Sequence, residues 1–158
     1  MLIAYTREVS PALADCELTH LEREPLEAAV AQAEHEVYES ILERLGASVR
    51  RLPPAPHLPD GVFVEDAAVV LDEVAVISRP GAPSRQPETA SVEAALAAHR
   101  PLVHVRAPAT LDGGDVLVAG RRIYVGLSTR TSRDAIQQLA DQLAPFGYAV
   151  IPVPFTGC

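Results

Sequence analysis

The order strand, strand, helix, strand recurs along this chain at intervals of roughly 50 residues, and no other feature narrows its fold as much. Residues 2–5 read as a short buried strand, and Pro25 fits the first turn of a helix. Leu26, Val30, Ala33, Val37, Ile41 and Leu45 follow at helical spacing, Gly46 stops the helix, and residues 47–52 make the next strand. This first copy is abbreviated. The second runs through strands at residues 62–71 and 74–79, a loop at 80–87, a helix near 88–99 with Val92, Ala95 and Leu96 inward, and a strand at 102–105. The third has a hairpin of residues 115–118 and 123–125 around Gly120. A helix over 132–144 then carries Ile136, Leu139, Ala140 and Leu143 on one face, and a strand at 148–153 closes the unit. A recurring unit that cannot bury its own apolar face argues for pseudo-symmetric assembly. An ordinary mixed α/β domain would show the same order by coincidence.

Composition narrows the partners. A chain of 158 residues, 48% hydrophobic, suits one domain with a buried core. Its net charge of −8 argues against nucleic acid, which needs a basic footprint. An acidic cleft would attract a cationic small molecule, although charge alone is explained as well by solubility. Cys16 and Cys158 make no disulfide framework, so a reducing, cytoplasmic setting is expected. The N-terminus is charged too soon for a signal peptide, and no apolar run approaches a membrane span. Zinc-spaced Cys/His clusters and phosphate-binding glycine motifs are absent, so neither metal nor organic cofactor is expected.

Two junctions between loop and strand carry carboxylates: Phe63-Val64-Glu65-Asp66 and Thr110-Leu111-Asp112-Gly113-Gly114-Asp115. Paired carboxylates satisfy the planar donor fork of a guanidinium, which makes Asp60, Glu65, Asp66 and Asp112 candidates for holding a cation. A single Asp at a strand end is otherwise a turn cap, and Asp115 reads that way, bonding loop amides. Arg85 and Arg130 lie in loops after strands, where a surface ion pair is the ordinary role. None of His20, His35, His57, His99 and His104 has a catalytic context, and His104 faces away from the core. Cys16 reads as a surface or packing residue, and Cys158 lacks the electropositive setting of a nucleophile.

Asp60-Gly-Val-Phe-Val-Glu65-Asp66, Arg79-Pro-Gly-Ala-Pro-Ser-Arg85, Thr110-Leu-Asp112-Gly-Gly-Asp115 and Ser128-Thr-Arg130-Thr, in that order, resemble the dimethylarginine dimethylaminohydrolases of the pentein superfamily. The resemblance covers nearly the whole chain. It implies an α/β pentein fold, an α/β-propeller of ββαβ modules, here as an incomplete ring: one domain with modules near 1–52, 53–105 and 106–153 and the start of a fourth at 154–158. It implies hydrolysis of Nω-methylated arginine to citrulline through a cysteine thiolate, with Asp60, Glu65 and Asp66 at the guanidinium. Arg85 and Arg130 would clamp the α-carboxylate, and the Leu18 backbone would meet the α-amino group from a lid loop over residues 7–24. Asp112 would partner a catalytic histidine that, like the nucleophilic cysteine, has no match in this chain. The expected partner is therefore a guanidino amino acid, and the chain alone is expected to be inactive, with exposed module edges that predict self-association. A non-catalytic guanidinium-binding module, and a pentein enzyme of arginine deiminase or amidinotransferase type, are the alternatives.

Overall fold

A computed structural model describes residues 2–18 and 22–154. His20 and Cys158 lie outside the described residues. The chain divides into two compact units, Met1–Val64 and Glu65–Cys158.

In the first unit, β1 (Leu2–Thr6) and β2 (Ala47–Arg51) pair in parallel, Leu2 opposite Ala47 and Thr6 opposite Arg51. The crossover is α1 (Ala28–Arg44), as parallel pairing requires. The helix begins later than the sequence suggests: Glu27 is its N-cap, and Pro25 precedes the helix. Gly46, at φ +93°, ends it in the left-handed region. The apolar stripe of α1 faces outward, with Val37 58% and Leu45 80% exposed. Its inner face carries Glu39, 5% exposed, which accepts from Thr6 Oγ1 at 2.6 Å and from Arg51 Nε at 2.9 Å. Periodicity located the helix but not the side that packs, because a buried carboxylate, paired with the half-exposed Arg51, replaces the expected apolar contact.

The second unit contains two three-stranded sheets of the same plan. In one, β3 (Ala68–Val70) runs antiparallel to β4 (Ala75–Ile77), which is parallel to β5 (Leu102–His104). The crossover is α2 (Thr89–Leu96), with Val92 and Leu96 buried. In the other, β6 (Val116–Ala119) runs antiparallel to β7 (Arg122–Leu127), which is parallel to β8 (Ala149–Pro154). Here the crossover is α3 (Arg133–Leu143), and Ser132 caps it by accepting from the Ala135 N–H. Val74, Val76, Leu111, Ile123, Val125, Leu139 and Leu143 form the centre of one apolar core, each with no exposed surface. His104 is exposed and pairs with Glu93 at 3.0 Å.

Two segments depart from the sequence reading. Residues 64–67 form a 3-10 turn ahead of β3 rather than the start of a strand. Residues 83–87, read as loop, and Glu88, read as the start of the helix, form a 3-10 turn running into α2. Both carry charged residues of the candidate site.

Candidate functional site

A short antiparallel bridge between Arg79 and Leu111 ties the loop after β4 to the loop before β6, with the Leu111 N–H donating to the Arg79 carbonyl at 2.8 Å. Ser132 joins the third segment: its N–H donates to the Thr110 carbonyl at 2.9 Å. These contacts join the loops that carry two ion pairs, Asp66 with Arg85 and Asp112 with Arg130, although the four residues lie far apart in sequence.

Asp66 accepts at Oδ1 from the Gly114 N–H (2.8 Å) and at Oδ2 from Arg85 Nη1 (2.7 Å). Arg85 is 2% exposed; its Nε and Nη2 donate to the two carboxylate oxygens of Glu88 at 3.1 and 2.9 Å. Burial works against the Arg85 charge, but Glu88 and Asp66 outweigh it and hold the guanidinium firmly protonated. Asp112, 3% exposed, accepts at Oδ1 from the Gly81 N–H at 2.8 Å and lies 3.4 Å from Arg130 Nη1 at Oδ2. Burial pushes the Asp112 carboxyl above the usual carboxylate range and Asp66 adds to this, whereas the Gly81 N–H, Arg130 and Arg85 oppose it.

The backbone must approach closely here, and glycine allows it. A Cβ on Gly81 would lie 2.6 Å from the Arg130 Cα, and one on Gly113 would overlap the Glu65 carbonyl oxygen. Asp115 bonds hydroxyls rather than the expected loop amides: Ser128 Oγ and Thr131 Oγ1 donate to its Oδ2 at 2.8 and 2.5 Å. Ser128 Oγ in turn accepts from the N–H groups of Arg130 and Thr131, which sets the turn that carries Arg130.

The other residues singled out in the sequence stand as follows. Glu65 is exposed on the 3-10 turn beside Asp66. Asp60 and Leu18 belong to the first unit. Asp60 is buried and accepts from the Glu17 N–H at 3.0 Å, so it anchors the segment that leads to the exposed Leu18. Cys16 is a buried free thiol in that segment. Glu88 had passed as a helix-start residue; its only sequence signal was its spacing of three from Arg85.

The chain can now be compared with known proteins. A family model described as arginine deiminase matches residues 48–149. A dimethylarginine dimethylaminohydrolase of Streptomyces coelicolor is 45% identical over 152 residues, which are 96% of this chain and 59% of that protein. The solved structure of a cysteine-to-serine mutant of the Pseudomonas aeruginosa enzyme, complexed with citrulline, superposes with a TM-score of 0.92 at 29% identity, covering 100% of this chain and 63% of that one. A dimethylarginine dimethylaminohydrolase in adduct with S-methyl-L-thiocitrulline gives a TM-score of 0.90 at 30% identity, covering 98% and 61%. This chain thus spans about three fifths of the length of these relatives.

Proposed function

Since the chain belongs to the arginine deiminase family, and within it to the dimethylarginine dimethylaminohydrolases, we propose that it is the substrate-recognition part of a hydrolase acting on Nω-methylated arginine. One observation carries this reading: two carboxylates and two guanidinium groups face one another in matched pairs, Asp66 with Arg85 and Asp112 with Arg130. A ligand with a cation at one end and a carboxylate at the other can exchange for both pairs. Its guanidinium would take Asp66 and Asp112, with Glu65 beside them, and its α-carboxylate would take Arg85 and Arg130. The solved relatives hold citrulline and a citrulline analogue, and these have the same amino-acid end.

The reaction proposed is attack of a cysteine thiolate on the guanidinium carbon, departure of dimethylamine or methylamine with a proton, and hydrolysis of the covalent intermediate by water to release citrulline and the thiol. The thiolate and its histidine partner are assigned to the part of the relatives' length that this chain does not span. Asp112 would orient that histidine, and burial suits it to exchanging a charge with a neighbour. We also propose modules at 1–52, 53–105 and 106–153, self-association through their open edges, and a cytoplasmic setting, which an unpaired Cys16 suits. The arginine deiminase model favours one alternative, unmethylated arginine as substrate.

The test is calorimetric titration of the 158-residue chain with asymmetric dimethylarginine and with arginine, beside a colorimetric assay for citrulline. Saturable binding that prefers the methylated ligand, without citrulline, is expected. Tighter binding of arginine would move the assignment to the alternative. Citrulline release that Cys158→Ser abolishes would overturn the assignment of the thiolate.

A further inference from the structure

Asp112 and Arg130 are each held at the main-chain N–H by a hydroxyl of the turn that follows β7. Thr131 Oγ1 accepts from the Asp112 N–H at 3.2 Å, and Ser128 Oγ accepts from the N–H groups of Arg130 and Thr131, both at 3.0 Å. A hydroxyl has one proton and two lone pairs. Two N–H donors fill both lone pairs of Ser128 Oγ, so its proton needs an acceptor elsewhere. Asp115 Oδ2 is that acceptor, for Ser128 at 2.8 Å and for the fully buried Thr131 at 2.5 Å. An ionised carboxylate only accepts, so both hydroxyls turn their protons toward it and their lone pairs toward the N–H groups. The 3-10 turn of residues 113–115 closes the arrangement, with the Asp115 N–H donating to the Asp112 carbonyl at 3.1 Å.

We infer that Asp115 is a positioning residue for the pair formed by Asp112 and Arg130. It acts through the hydroxyls of Ser128 and Thr131, whose directions it sets. Without an acceptor there, either hydroxyl could turn its proton toward an N–H group, donor would face donor, and the turn would lose its hold. One carboxylate thus fixes the main chain at both members of the pair, through Thr131 at Asp112 and through Ser128 at Arg130. Those two side chains are the ones proposed to take opposite ends of one ligand, so Asp115 sets the spacing to which that ligand must fit. The inference rests on the proposed recognition of a guanidino amino acid and adds to it the residue that keeps the two ends in register.

Asymmetric dimethylarginine is titrated into the unchanged chain and into Asp115→Ala, Asp115→Asn, Thr131→Val and the double variant Asp115→Ala/Thr131→Val, each also melted thermally. Asp115→Ala should weaken binding roughly tenfold, the scale of one lost hydrogen bond. Asp115→Asn keeps an oxygen that takes both protons and should hold the affinity within about threefold. Thr131→Val removes the hydroxyl at nearly constant shape and should also cost roughly tenfold. The double variant should lose less than the product of the two single losses, because both break one path. An Asp115 that served only the fold would lower the melting midpoint and leave the affinity of the folded chain unmoved. That result in Asp115→Ala overturns the inference while leaving the recognition reading intact. An Asp115→Asn as weak as Asp115→Ala overturns it too, since charge rather than hydroxyl direction would then matter, and so do independent losses in the double variant. If Asp115→Ala loses its cooperative thermal transition, Thr131→Val decides, and an unmoved affinity there overturns the inference equally. An unchanged chain that does not bind the ligand overturns the recognition reading and this inference with it.

Discussion

Asp112 shows how a residue proposed to hold substrate can work against the fold that holds it. Its folded carboxyl titrates above the ordinary value, with burial the main cause. For an acid with a raised folded pKa the sign is fixed: its favourable contribution is complete below the unfolded pKa and is lost as pH rises through the folded one. Asp112→Asn retains an acceptor for the Gly81 N–H and removes the buried charge. It should raise the melting midpoint at neutral pH by roughly 2–4 °C, the shift that about 1 kcal/mol produces in a chain of this size, while abolishing methylarginine binding. A lower midpoint with binding retained would show that the Arg130 pair outweighs desolvation. Gly113 makes the opposite case. A Cβ there would overlap the Glu65 carbonyl, so Gly113→Ala should cost about 2–4 kcal/mol in a denaturant titration, because backbone rather than a side chain must yield.

Among the elements, α1 and α3 invert each other. α3 buries Ala135, Ile136, Leu139 and Leu143, and its N-cap Ser132 also accepts from the Thr110 N–H in the loop before Asp112. Ser132→Ala should therefore cost about 1–2 kcal/mol and weaken ligand binding as well, which a cap serving the helix alone would not do. α1 turns its apolar stripe outward and its charge inward. Val37→Glu should change stability by less than about 0.5 kcal/mol, whereas Glu39→Ala strands the buried Thr6 hydroxyl and should cost about 1–3 kcal/mol. The hydrogen bond from Arg51 is the main influence holding the Glu39 carboxyl below its usual value, against the opposing effect of burial. That stabilisation is present above the unfolded pKa and is lost as pH falls through the lowered folded pKa. A pH series of thermal melts should accordingly show an acid-side loss that Glu39→Gln removes.

At the scale of the whole molecule the apolar core is unevenly shared. Of the described residues, the first unit buries the apolar side chains of Leu13, Cys16 and Leu52, beside the polar or charged Thr6, Arg7, Ser10, Glu39 and Asp60. The second unit holds the continuous cluster around β7 and α3. Hydrogen exchange should therefore find the amides of β7 protected longer than those of β1, since local opening follows the apolar surface that must be exposed. Equal protection would mean that the polar centre of the first unit is as cohesive as the apolar one. The recurring order of strands and helices was legible in the chain because side-chain periodicity is a local property, set by 3.6 or 2 residues per repeat. So was the family, because its four motifs are contiguous. The Asp112–Gly81 bond, the Glu88–Arg85–Asp66 chain and the outward stripe of α1 were not legible. Each depends on which segments a turn or bridge brings together, and on whether a buried charge finds its partner there. The sequence by itself determined the order of the elements, the family and the carboxylates and arginines proposed to hold a guanidino amino acid. Tertiary structure alone decided how those charges are paired, because pairing is a matter of distance in space and not of position along the chain.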